Sequence, residues 1–133
     1  MNTTHVDEYF KALSGRDKVG IVPHLSEDIV LTGPIYPEPT AGKEMVVKIL
    51  SGFIETIETL EVNLTISSGR DVAVFFTFTR DGTTIKGNEH LHLDENGLID
   101  SIEVAWQPLT SAVLIQGIFA KKMGLQPLRL VPA

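Results

Sequence analysis

The chain has 133 residues, 43% of them hydrophobic and 7% aromatic, and a formal net charge of −6. That length suits one domain spanning 1–133, with a core able to enclose a small pocket. The negative charge argues against nucleic acid, whose phosphates need clustered Lys and Arg. The absence of cysteine excludes disulfides, thiolate catalysis and Cys-based metal sites. The first residues lack the basic-then-apolar order of a signal peptide, and no apolar run reaches membrane-spanning length. The expectation is a soluble, cytoplasmic protein with no membrane partner.

In chain order, Thr4 with Asp7 reads as a loose capping box. Val6, Tyr9, Phe10 and Leu13 then make one face of a helix that Gly15 ends. Asp17 is the N-cap of a second helix with Ile21, Val22 and Leu25 inside. Pro23 removes a donor there, so this helix is expected to be short or kinked and to end near Leu25. Residues 28–32 read as a short strand. Residues 33–42 hold three prolines and two glycines, a stiff extended loop. From 43 to 57 the spacing of Met45, Val46, Ile49, Leu50, Phe53 and Ile57 predicts a helix with Gly42 as its N-cap. Residues 61–107 are strand-like throughout, and Pro108 stops the last strand. A C-terminal helix over 110–123 follows, opened by Thr110 and ended at Gly124. It is apolar on more than one face. With the apolar tail 125–133, it packs on the protein's own core, over a pocket mouth or on a partner.

The most informative stretch is 82–107. Asp81-Gly82 and Asn96-Gly97 are hairpin turns, because both pairs tolerate positive φ. Side chains alternate faces along a strand. Ile85, Gly87, Glu89, Leu91 and Leu93 therefore share one face, and Thr84, Lys86, Asn88, His90 and His92 share the other. The first face is apolar except for Glu89. With a two-residue turn at Asp81-Gly82, Phe78 pairs with Ile85, Phe76 with Gly87 and Val74 with Glu89. With a four-residue loop over 94–97, Glu89 faces Ile102, Gly87 faces Val104 and Ile85 faces Trp106. A carboxyl there reaches solvent at the sheet edge, finds a buried polar partner, or faces a ligand. If buried, it stays protonated at neutral pH and becomes a hydrogen-bond donor. Gly87 leaves a space that Phe76 or a ligand fills, which fits a curved sheet.

The element order predicts an α+β fold, helices on one face of a curved, mostly antiparallel sheet. Residues 9–17 (YFKALSGRD), 27–44 (EDIVLTGPIYPEPTAGKE) and 89–97 (EHLHLDENG) resemble the NTF2-like superfamily, which includes ketosteroid isomerase, scytalone dehydratase and the SnoaL-like polyketide cyclases. The resemblance covers about residues 9–107. It implies a cone-shaped, cystatin-like roll as the core, with 108–133 as an added C-terminal helix and tail. It also implies that Tyr9 is the oxyanion-binding tyrosine, Glu89 the protonated acid of the oxyanion hole, and Trp106 a pocket-wall aromatic. The family's catalytic base is an aspartate preceding a proline. Here that position is Gly33, before Pro34, so ketosteroid isomerase activity is not expected.

The expected site joins Tyr9 and Glu89 as the catalytic pair, with Phe53, Val74, Phe76, Phe78, Ile102, Val104 and Trp106 lining an apolar pocket. The ligand is a small hydrophobic carbonyl or hydroxyl compound. The reaction, if any, is an isomerisation, cyclisation, dehydration or hydrolysis. The alternative is a non-catalytic binding or dimerisation module. Glu38 and Tyr36 on the loop, His24 and Asp100 are further candidates for the cavity. His90 and His92 belong to the outer face, which in this fold commonly forms a homodimer interface. No third ligand accompanies them, so neither a metal nor a cofactor is expected.

Overall fold

A computed structural model describes residues 2–133. Helix α1 spans Thr4–Ser14, and a single 3-10 turn, Val22–His24, leads into strand β1 (Leu25–Thr32) and the short β2 (Thr40–Ala41). Helix α2 (Lys43–Thr56) is followed by four strands, β3 (Thr59–Ser68), β4 (Asp71–Arg80), β5 (Thr83–Leu93) and β6 (Ile99–Gln107), and by helix α3 (Leu109–Met123). Among the described residues no helix is long and apolar enough to cross a membrane.

The apolar stripe of α1 is buried through Val6, Tyr9, Phe10 and Leu13. The cap falls one residue before the expected one: Thr3 occupies the N-cap position, and its hydroxyl donates to Asp7. The second helix shortens to the 3-10 turn. Pro23 lacks an N–H, and Asp17 instead accepts the Gly20 N–H at 2.8 Å, closing a local turn. Helix α2 begins after Gly42 at φ 97° and buries Val46, Leu50, Phe53 and Ile54. Helix α3 begins after Pro108 rather than at Thr110 and ends at the left-handed Gly124.

The strands form one six-stranded sheet in the order β2-β1-β6-β5-β4-β3. β1 runs parallel to β6, and all other pairs are antiparallel. The inner face carries Val74, Phe76, Phe78, Ile85, Leu91 and Ile102, all buried against α1 and α2. Burying each such side chain stabilises the fold by about 1.5–3 kcal/mol. Gly87 is needed at this packing density, because a Cβ there would lie 2.5 Å from the Phe76 ring. The space left by Gly87 is filled by Phe76.

The β4–β5 register matches the expected one, with Val74 opposite Glu89 and Phe76 opposite Gly87. The β5–β6 register does not. Glu89 lies opposite Val104 rather than Ile102, and Gly87 opposite Trp106 rather than Val104. The loop is one residue longer than the assumed four, since Leu93 pairs with Ile99. Asp94 holds this loop by accepting the Asn96 and Leu98 N–H groups. The pairing then shifts again between His92 and Leu93, where Asp100 is the extra residue of a bulge. A two-residue slip changes partners but leaves Glu89 on the inner face. The bulge does move Asp100, which pairs with His92 at 2.7 Å and does not approach the cavity.

Candidate functional site

A cavity of about 220 Å³ lies between the inner sheet face, α2, the 33–40 loop and α3. The sheet contributes Glu89 from β5 and Val104 and Trp106 from β6. Helix α2 contributes Ile49, Leu50 and Phe53 through its buried stripe. Pro34, Ile35, Tyr36 and Glu38 come from the loop, and Gln116, Phe119 and Leu125 from the C-terminal region. Phe53, Phe78 and Trp106 form a mutually packed aromatic cluster, with ring centroids 5.2–5.8 Å apart.

Glu89 is 4% exposed and its Oε1 has no hydrogen-bond partner. Burial pushes its pKa up to about 8, because the low-dielectric wall disfavours the charged carboxylate. At neutral pH the carboxyl is therefore mostly neutral and can donate one hydrogen bond. Tyr9 is fully buried and does not line the cavity. Its hydroxyl also lacks a partner. Burial, and secondarily the charge Glu89 would carry, hold the phenol pKa well above its ordinary value. Tyr9 and Glu89 thus sense each other electrostatically, but no hydrogen bond joins them. The third buried orphan among the described residues is Trp106 Nε1. Buried polar groups are nearly always satisfied, so three orphans at and behind one cavity wall mark a place where a partner is missing.

Of the other expected lining residues, Phe53 and Val104 are on the wall. Val74, Phe76, Phe78 and Ile102 are not; they are packed in the core behind it. Parity alone assigned them to the inner face, and helices α1 and α2 cover that part of the face.

Gly33 explains the missing base in steric terms. Its φ is +80°, and a Cβ there would lie 2.4 Å from the Val104 carbonyl oxygen. The loop backbone presses against β6, so this position has no room for any side chain. Glu38 does line the cavity, from an exposed loop position. His24 does not; it meets His5 through Nδ1–Nδ1 contact at 2.9 Å. Burial, then the neighbouring His5, lower the His24 pKa. On the outer face His90 pairs with Asp71 at 2.8 Å and His92 with Asp100. Among the described residues no cluster of three or more His, Asp or Glu could hold a metal ion.

Gln116 is a site residue that sequence reading did not single out. The multi-faced apolarity of α3 was the available signal, and a glutamine within it was the exception to notice. Gln116 is 2% exposed. Its Nε2 donates to the Tyr36 hydroxyl at 2.8 Å and to the Gln126 carbonyl at 3.2 Å, and its Oε1 accepts the Leu128 N–H at 2.8 Å.

The comparisons with known proteins agree with this architecture. The model of the SnoaL-like domain matches residues 6–102. A steroid delta-isomerase from Pseudomonas aeruginosa superposes with a TM-score of 0.84 at 23% identity, over 91% of this chain and 90% of that one. An uncharacterised cystatin-like-fold protein from Silicibacter pomeroyi gives a TM-score of 0.87 at 19% identity, over 92% and 86%. The epoxide hydrolase/cyclase-like enzyme SalBIII, connected with pyran ring formation in salinomycin, gives 0.68 at 22% identity, over 81% and 91%. At these identities the likeness is one of fold. No curated protein matches the chain. The family match, with the curved sheet and the helices packed in its concave face, places this chain in the SnoaL-like family of the NTF2-like superfamily.

Proposed function

We propose that the cavity binds a small hydrophobic carbonyl or hydroxyl compound, gripped through the neutral carboxyl of Glu89. The observation that carries this reading is the unpartnered Oε1 of a 4% exposed glutamic acid whose residue lines the cavity. An uncompensated buried polar group costs about 1–3 kcal/mol, and an oxygen-bearing ligand removes that cost. Trp106, also on the wall and also carrying a free donor, is a second ligand contact. Tyr9, behind the wall, supports Glu89 as a positioning residue. A protonated carboxyl aimed at a carbonyl stabilises the negative charge that builds on oxygen in an isomerisation, cyclisation or dehydration.

The specific test is a titration of 1-tetralone followed by Trp106, the single tryptophan of the chain. Saturable quenching is expected in the wild type and not in Glu89→Leu. Equal binding by both proteins removes the grip from consideration.

A second reading, binding without turnover, is favoured by the geometry at Gly33, which leaves no room for the family's base. The carboxylate on the cavity wall that is available for proton abstraction is then Glu38. Exchange of the α-protons of 1-tetralone in D2O separates the two readings. Exchange accelerated by the wild type and lost in Glu38→Gln supports an enzyme. Exchange at the buffer rate supports a binding protein.

We also propose that the outer sheet face pairs two copies of the chain. It exposes Leu64, Ile66 and Phe75 on adjacent strands, with Leu64 directly opposite Phe75. Sedimentation of wild type and Phe75→Lys checks this; two monomeric proteins refute it.

A further inference from the structure

Two features define the ligand more closely. The first is the chemistry and size of the cavity. Its volume of about 220 Å³ falls below the roughly 300–1,000 Å³ of pockets that take drug-sized molecules. It exceeds the roughly 150 Å³ apolar cavity that suffices for benzene. No Lys, Arg or His lines it, while two carboxyl-bearing residues, Glu38 and Glu89, do. A carboxylate ligand would find no cation there, and burying an unpaired anion is strongly unfavourable.

The second feature is the clamp on the C-terminal strap, the stretch after Gly124. Leu125 of this strap lines the cavity. The strap has neither helix nor strand, so side chains must hold it. Gln116 does so with its whole amide: Nε2 reaches Tyr36 and the Gln126 carbonyl, and Oε1 accepts from the Leu128 N–H. The Tyr36 hydroxyl adds a bond to the same Gln126 carbonyl at 3.3 Å. Loop, helix and strap are thereby locked together around one side of the cavity. All of this except Tyr36 lies beyond residue 102, outside the segment matched to the family.

Resting on the pocket reading above, we propose that the ligand is an uncharged compound of one or two fused rings bearing an acceptor oxygen. Gln116 sets the upper size limit by holding the strap as a fixed wall. Gln116 is a specificity-determining residue, since its own donors and acceptor are committed to the chain and not to the ligand. Larger ring systems are excluded because admitting them requires moving Leu125 and breaking the clamp.

Isothermal titration calorimetry with cyclohexanone, 1-tetralone, 1-naphthoate and a four-ring 3-ketosteroid tests this. The wild type is expected to bind 1-tetralone most tightly, with the steroid and 1-naphthoate each at least about tenfold weaker. Gln116→Ala should strengthen steroid binding roughly fivefold to tenfold, as expected for loss of clamp hydrogen bonds. Its affinity for 1-tetralone should stay within about threefold. Tyr36→Phe, at a 42% exposed position, removes one clamp hydroxyl and should shift steroid binding in the same direction. It serves if Gln116→Ala does not fold. Steroid or naphthoate binding as tight as tetralone binding in the wild type overturns the size or charge limit. So does unchanged selectivity in both variants. In each of those cases the pocket reading stands if Glu89→Leu still abolishes binding. Binding indifferent to Glu89, or no binding by any of the four compounds, refutes both.

Discussion

The substitution Glu89→Gln removes one titration and keeps the shape of the side chain. In the wild type the folded-state pKa is raised from 4.5 to about 8 by burial. Below pH 4.5 the carboxyl is neutral in both folded and unfolded chains, and its ionisation costs the fold nothing. As pH rises above that value, the unfolded chain loses its proton while the folded chain keeps it. Stability therefore falls by about 1.4 kcal/mol per pH unit until the folded-state pKa is reached. Across the whole window the loss is about 5 kcal/mol, of the order of a small domain's entire stability. The amide of the variant does not titrate, so its own desolvation adds only a constant offset. Urea denaturation followed by circular dichroism at half-unit steps from pH 5 to 8 measures the difference. The variant should gain on the wild type steadily, by about 4 kcal/mol over that range. Parallel profiles for the two proteins would refute a buried, neutral Glu89.

Three further outcomes are expected. Affinity for 1-tetralone should weaken about tenfold between pH 7 and pH 9 in the wild type, because a carboxylate above its pKa of about 8 cannot donate to the ligand oxygen; a flat profile argues that another group makes the contact. Gly33→Asp restores the family's base residue but places a Cβ against the Val104 carbonyl at positive φ. It should lower stability by about 2–3 kcal/mol without creating isomerase activity, as thermal denaturation and a steroid isomerisation assay would show. The His24 pKa is lowered by burial and by His5, so the neutral pair stabilises the fold at neutral pH and that stability is lost as pH falls below about 6.5. His24→Asn should flatten the loss of stability on acidification to pH 5, and an unchanged acid limb would exclude the pair as its source.

Much of this arrangement was legible in the residues. The alternation from Ile85 to Leu93 located Glu89 on an apolar face, and Asp81-Gly82 fixed the β4–β5 register, because a two-residue turn leaves one pairing. The β5–β6 register was not legible. Asp94 caps a five-residue loop with its own carboxylate, and the bulge at Asp100 depends on pairing with His92 across the strands. Local turn preference does not encode either. Parity assigned Phe76 and Phe78 to the pocket, but parity defines a face and not the part of that face a helix leaves uncovered. Gln116 was passed over because the value of a buried amide depends on partners far away in the chain, here Tyr36, Gln126 and Leu128.

The amino-acid sequence by itself determined the fold class, the inward side of each strand and the presence of one acid among apolar neighbours. Those follow from periodicity and turn chemistry, which act over a few residues. It also identified Gly33 at the expected base position, though as a substitution only. The tertiary structure decided that Gly33 is pressed against the Val104 carbonyl, that Tyr9 lies behind the cavity wall, and that the C-terminal strap closes one side. Each depends on the close approach of segments remote in the chain, and such contacts are set by packing rather than by local pattern.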